Sequence, residues 1–434
     1  MSWSRGLVLS ATALWAALPC TARAEPDRAA ALQLFADADQ ICRRDDGALW
    51  GRSLCGPILF VDYTDRSFVA NQQAPSGALR QEGSVFVGVL PEEVIIANTP
   101  TEWDGQRWTQ IVAPISDDQA ARDVLVAHEL FHRIQPALGL TRNEVGNAHL
   151  DELEGRYWLQ MEWRALNAAL GAETPPRRRS AIEDALAFRQ ARYDLFPTAA
   201  ADEHALEINE GVPEYTGVRL ALTSAQARRD FAIRDLSAFV NAPTFVRSFA
   251  YATGPAYGLI LDEFDPDWKS KLGERSLDGL LRAALPASTE AAKSLTDRAR
   301  PYDDGALRLS EVRRAEERQS RLAGLKAALV DGPVLVLPLR NSNYQFNPQT
   351  LVPLSGYGTV YPTMRLTDAW GSLEVETGGA LVWSEGKRAT VKAPTGLSAA
   401  SGEGWRLTLA HGWAIAPGER QGDYRVVCTR DCGE

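Results

Sequence analysis

The stretch "AHELFH", residues 127–132, constrains this chain more than any other. Positions four apart on a helix share a face, so His128 and His132 can offer their ring nitrogens to one ion. Glu129, one position round, can reach a water on that ion. Two neutral imidazoles, a carboxylate and an open fourth position suit zinc in a catalytic site. The metal lowers the pKa of the water and polarises a carbonyl, while Glu129 takes the proton.

The surroundings read as a helix. Ser116 with Gln119 forms a capping box, Asp117 and Asp118 suit the positive helix start, and Pro136 and Gly139 stop it. Upstream, residues 28–43 predict a helix, and "PILFVD", "RSFVANQ", "SVFVGVL", "EVIIAN" and "RWTQIVAPI" predict strands within 57–115. Downstream, helices are expected over 148–170, 180–195 (opened by a Ser180–Glu183 box), 203–222, 224–238 and 249–264. A charged helix with a solvated face then runs to about residue 330. Residues 333–434 are rich in Val, Thr, Tyr, Trp and Gly and predict a small all-β domain. The class expected is α+β, with 434 residues split between two domains, 25–330 and 333–434.

A third ligand is required, and the spacing leaves two sources. "EINEGVPEYTG", residues 207–217, offers Glu210, with Glu214 four residues on. A carboxylate at Glu214 could accept the second ring N–H of a zinc-bound histidine and hold its tautomer. "HLDELEG" offers Glu152, with nineteen residues between it and His132, and its neighbour Asp151, with eighteen between. His149 and His204 read as capping or surface residues, and His411 stands in the β region without a partner pattern.

Three segments in order, "AHELFH" at 127–132, "NEGVPEY" at 209–215 and "YATGPAYGLILDEF" at 251–264, resemble those of gluzincin metallopeptidases. The second is similar to the "NEGxAxY" segment of aminopeptidase-like members, and the third to their "YxxG" segment. The resemblance implies a zincin-like catalytic domain with Glu210 as the zinc ligand, Glu214 behind a histidine and Tyr251 as the oxyanion donor; Tyr257 is the other tyrosine within reach. It also implies that the strand before the metal helix, flanked by Trp103 and Trp108, can pair with an extended peptide. The 77 residues between His132 and Glu210 exceed the thermolysin-like interval, which Glu152 would match. No segment matches "GxMEN", so aminopeptidase activity is not implied.

Residues 1–24 read as a cleaved signal peptide: Arg5, a short apolar run, then Ala22-Arg23-Ala24. That places the chain in a periplasm or outside the cell. The formal charge of −10 becomes −12 once Arg5 and Arg23 are removed. An acidic protein repels phosphate backbones and anionic membrane surfaces, so a nucleic-acid or polybasic membrane role is not expected. The four cysteines that follow residue 24 suggest disulfides Cys42–Cys55 and Cys428–Cys432.

The expectation is an exported zinc peptidase acting on peptides or proteins, with His128, His132 and Glu210 on the metal and Glu129 activating water. Two other readings remain open at this point: a non-catalytic binding protein with a structural metal, and a metal hydrolase of a non-peptide amide.

Overall fold

The structure, a computed structural model, describes residues 27–143, 146–286, 293–347, 350–397 and 400–429. The expected signal peptide lies outside them, as does Cys432 and with it the Cys428–Cys432 pairing. The class is α+β. Contacts divide the chain into two compact units between Gly305 and Ala306.

The first unit opens with α1 (Arg28–Asp45) and a six-stranded sheet of β1 (Ile58–Asp62), β2 (Ser67–Ala70), β3 (Arg80–Glu82), β4 (Val85–Val89), β5 (Thr99–Trp103) and β6 (Gln106–Ala113). The order is β3-β4-β2-β1-β6-β5. β1 and β6 run parallel, and β5 lies antiparallel to β6 at the sheet edge. "EVIIAN" is not a strand. Its backbone is satisfied by side chains instead: Arg66 donates to the carbonyls of Pro91 and Val94, and Gln110 bridges Ile95 O and Ala97 N. The edge strand comes next, from "TPTEW", which the sequence reading leaves unassigned.

α2 (Gln119–Ile134) carries "AHELFH". Its cap is Asp118, which accepts from the amides of Ala120 and Ala121, whereas the Ser116 hydroxyl accepts from Asp118 N. A 3₁₀ turn over Gln135–Leu138 follows, and Gly139 closes it in the left-handed conformation at φ 70°. Then come α3 (Leu153–Gly171), α4 (Pro175–Leu195), α5 (Ala199–Leu206), α6 (Val212–Ala221), α7 (Ala225–Ala238), α8 (Phe249–Phe264), α9 (Leu277–Ala284) and α10 (Leu295–Ala299). α4 begins five residues before the Ser180 box, because a proline fits the first turn of a helix. The single helix expected over 203–222 is broken by a π-turn, Glu207–Gly211, between α5 and α6. Pro213 supplies the reason: it has no N–H for the carbonyl of Asn209 and its ring crowds that carbonyl, so the helix widens.

α3, α4, α5, α8 and α9 enclose an ion network that the sequence does not announce. Arg189 donates to Glu162 and to both oxygens of Glu207, and Arg192 donates to Glu162 and to both oxygens of Glu203. All five of these side chains are fully buried. Burial pushes the Glu203 carboxyl up, but the charge and hydrogen bonds of Arg192 and the contact with His149 outweigh it and bring it down to about 2. A depressed carboxylate stabilises the fold above its unfolded value of 4.5 and loses that contribution as pH falls toward 2. Glu203→Gln is therefore expected to melt well below wild type at pH 7. The gap should narrow between pH 4.5 and about 2 in pH-resolved thermal melts.

Cys42 and Cys55 are disulfide-bonded, with Cα atoms 5.1 Å apart and 13 residues of sequence separation. Closing a loop of that length stabilises the fold by about 3 kcal/mol in the chain-entropy account. A Cys42→Ser/Cys55→Ser variant is expected to lose about that much in denaturant melts.

The second unit begins with α11 (Ala306–Lys326), which the sequence assigns to the first. Leu322 and Leu325 of this helix pack with Leu354, Val360 and Leu381 of the β region, which is why it groups there. A seven-stranded and a five-stranded sheet follow, sharing a core that includes Leu335, Leu337, Leu366, Trp370, Leu373 and Trp405. No helix among the described residues is long and apolar enough to cross a membrane.

Candidate metal centre

Three elements converge on the "AHELFH" face of α2. His128 is 3% and Glu129 4% exposed, so this face is buried against the rest of the first unit. α6 packs along α2 with Gly217 against the backbone of Val124, where a Cβ would sit 2.5 Å from the carbonyl oxygen. That approach brings Glu214 Oε2 to 2.7 Å from His128 Nδ1. The π-turn before α6 brings Glu210 Oε2 to 3.6 Å from His128 Nε2 and 3.7 Å from His132 Nε2. The two Nε2 atoms are 3.0 Å apart.

Both histidines are oriented through their second nitrogen. His128 Nδ1 faces Glu214, which can only accept when ionised, so a proton belongs on Nδ1. His132 Nδ1 faces Gln135 Oε1 at 2.8 Å, and the amide of Gln135 is fixed because its Nε2 donates to Ile208 O. Nδ1 of His132 is therefore also the protonated nitrogen in the neutral ring, which leaves Nε2 of each ring, on the side of the Glu210 oxygen, as the atom that can coordinate. Gln135 escaped the sequence reading; its signal is its place three residues after His132, one turn along the helix.

Three lone-pair atoms with separations of 3.0–3.7 Å match the edges of a tetrahedron. For zinc–nitrogen distances of 2.0–2.1 Å those edges are about 3.3 Å. His128, Glu129 and His132 also have ligand atoms within 4.8 Å of one another. Glu129 Oε2 is buried and has no hydrogen-bond partner among the described residues. A buried carboxylate oxygen left so is costly unless a cation or a water faces it. The donor set could therefore hold a metal ion, with His128, His132 and Glu210 facing one another and Glu129 beside them.

Electrostatics point the same way. Burial opposes a charge on His128, but contacts with Glu210 and Glu214 and the nearby Glu129 raise its pKa to about 10. Burial raises the Glu210 carboxyl, and the two histidines and Tyr251 outweigh it and hold it well below the usual range. Burial drives Glu129 upward, the histidines pull against it, and Glu210 and Glu214 add to the rise. Three carboxylates around two imidazoles thus form a pocket that favours positive charge.

The tyrosines separate. Tyr251 lies with its ring parallel to that of His128, centroids 5.7 Å apart, and its hydroxyl donates to Glu210 Oε2 at 2.6 Å. Tyr257 is fully buried and donates to Glu162 in the ion network. Arg247, 57% exposed in its side chain, donates to the other oxygen of Glu210 at 2.9 Å. Glu152 stands exposed at the cap position of α3, and Asp151 accepts from Thr244 Oγ1 and Phe245 N. Of Glu152 and Glu210, the carboxylate that approaches both histidines is that of Glu210. His149 pairs with buried Glu203 rather than capping a helix from the surface.

Compared with family models, with curated proteins and with solved structures, the chain has no match.

Proposed function

We propose that the first unit is a zinc-dependent peptidase of the gluzincin type, with His128, His132 and Glu210 holding the metal. The observation that carries this reading is the convergence of those three donors beside a buried, unpartnered carboxylate. When bound, zinc supplies Lewis acidity toward a water and toward the substrate carbonyl.

The chain's own residues do the rest. Glu129, held in a dry environment that raises its proton affinity, takes the proton from the attacking water and returns it to the leaving amine. Glu214 and Gln135 keep Nδ1 protonated on each histidine, so Nε2 stays available as a ligand. Tyr251, once its hydroxyl leaves Glu210, donates to the oxygen that gains negative charge. The strand immediately before the metal helix, β6, is paired on both sides, and Trp108 is core. Of the two edge strands, β3 and β5, it is β5 that lies beside α2, and we assign the substrate strand to that edge.

A structural metal site would be closed by a fourth protein ligand. His149 is taken by Glu203, and Cys42 and Cys55 by their disulfide. This favours an open catalytic position over the binding-protein reading. A chromogenic casein assay tests the choice. Hydrolysis that a chelator abolishes and added zinc restores is the expected result. A zinc-loaded protein that cleaves neither casein nor a mixed peptide library would sink the peptidase reading.

Metal uptake carries its own pH signature. With His128 raised to about 10 in the metal-free protein, zinc must displace a proton at neutral pH. The apparent affinity is expected to fall about tenfold for each pH unit below that value. Calorimetry in two buffers of different ionisation enthalpy should show release of about one proton at pH 7.5. Binding with no proton release would contradict the assignment of His128.

A further inference from the structure

We propose that Glu207 and Arg189 are positioning residues for Glu210: the buried ion network of the first unit clamps the π-turn that presents this carboxylate. The inference rests on the reading of Glu210 as a zinc ligand. A π-turn lacks the regular hydrogen-bond ladder that fixes side-chain direction in an α-helix, and Pro213 removes a further donor. Its geometry must be imposed from outside. Each of its five residues is held by a different neighbour.

Glu207, at its start, is gripped by Arg189 through both carboxylate oxygens, at 2.6 and 3.1 Å. The carbonyl of Ile208 accepts from Gln135, the residue that orients His132. Asn209 exchanges two hydrogen bonds with the backbone of Arg142. Glu210 faces the histidines, Tyr251 and Arg247. Gly211 lies backbone to backbone on Gly254 of α8.

The Arg189 grip is the deepest of these. Arg189 is itself fixed by Glu162 at 2.8 Å, and Glu162 by Arg192 and Tyr257. Buried ion pairs pay heavily in desolvation and are weak sources of stability, so a fully buried network calls for another role. Fixing the register of the turn is such a role. Arg189 also neutralises Glu207, which leaves Glu210 as the turn's carboxylate toward the ion.

Zinc affinity separates positioning from plain stability. The full chain would be titrated with zinc against a chromophoric chelator, with thermal melting alongside, for wild type, Glu207→Gln and Asp184→Asn. Asp184 sits on the same helix as Arg189 and pairs with Arg298 at 2.6 Å, away from the turn. Both variants break an ion pair and should melt lower. Glu207→Gln is expected to weaken zinc binding 10- to 100-fold, in the range typical of residues behind metal ligands, and Asp184→Asn to stay near wild type. Should Glu207→Gln not fold, Glu207→Asp, which keeps the charge and shortens the arm, replaces it with the same expectation. A folded Glu207 variant with wild-type affinity would overturn the proposal, and so would equal weakening in Asp184→Asn. Wild type that binds no zinc would instead overturn the underlying reading of Glu210.

Discussion

Glu129→Gln is expected to lower kcat about 1,000-fold while one zinc stays bound, a loss of about 4 kcal/mol in transition-state stabilisation. The substitution keeps the shape of the side chain and removes its ability to accept and return a proton. Glu129 has a ligand atom within 4.8 Å of those of the two histidines, and the proposed reading gives it the water while Glu210 completes the ligand set. Metal content should therefore hold while turnover collapses. Full activity in Glu129→Gln would mean that another base does the work. Loss of zinc together with activity would mean that Glu129, rather than Glu210, completes the ligand set.

Gly254→Ala is the second large effect. A Cβ at this position would lie 2.1 Å from the Gly211 carbonyl oxygen and 2.4 Å from its carbon atoms. All of these are backbone atoms, so no side-chain rotation relieves the clash. Relief requires α8 to move away from the π-turn, which would part Tyr251 from Glu210. Overpacking of this kind costs about 3 kcal/mol or more. The variant is expected to melt lower and to bind zinc more weakly. Gly273→Ala, where a Cβ meets nothing within 4 Å, serves as the control. A Gly254→Ala protein with wild-type stability and zinc affinity would show that this backbone contact does not set the site.

Much of this site can be read from the sequence because its chemistry is local. The pairing of His128 with His132 follows from helix periodicity, and Glu214 lies four residues after Glu210, one helical turn on. The choice of Glu210 over Glu152 is not local. It depends on how the intervening helices α3, α4 and α5 return the chain to α2, and the resemblance of the "NEGVPEY" segment carries it. Gln135 was missed because a glutamine just past a helix end is ordinary in sequence, and its meaning comes from the His132 contact. Tyr251 and Tyr257 look equivalent six residues apart, yet one meets Glu210 and His128 and the other the ion network.

The fold shows the same division. Apolar alternation locates β1, β2, β4 and β6, whereas β5 comes from a Pro- and Thr-bearing stretch whose strand state is imposed by β6. The π-turn is invisible to periodicity, although Pro213 marks where the helix had to widen. The Arg189–Glu162–Arg192 network also hides, because charged residues on α3 and α4 read as exposed faces until the helices pack. The unit boundary lies at Gly305 for a similar reason: the charged helix α11 packs with the β region through Leu322 and Leu325.

The measurement that tests the central claim most directly is the metal content of the purified protein for wild type, Glu210→Ala and Glu152→Ala. The account predicts one zinc per chain in wild type and in Glu152→Ala, and none retained in Glu210→Ala. Zinc kept by Glu210→Ala but lost from Glu152→Ala would move the third ligand and contradict the geometry described for the π-turn. Absence of zinc from wild type, even after reconstitution, would return His128 and His132 to the status of ordinary helix residues.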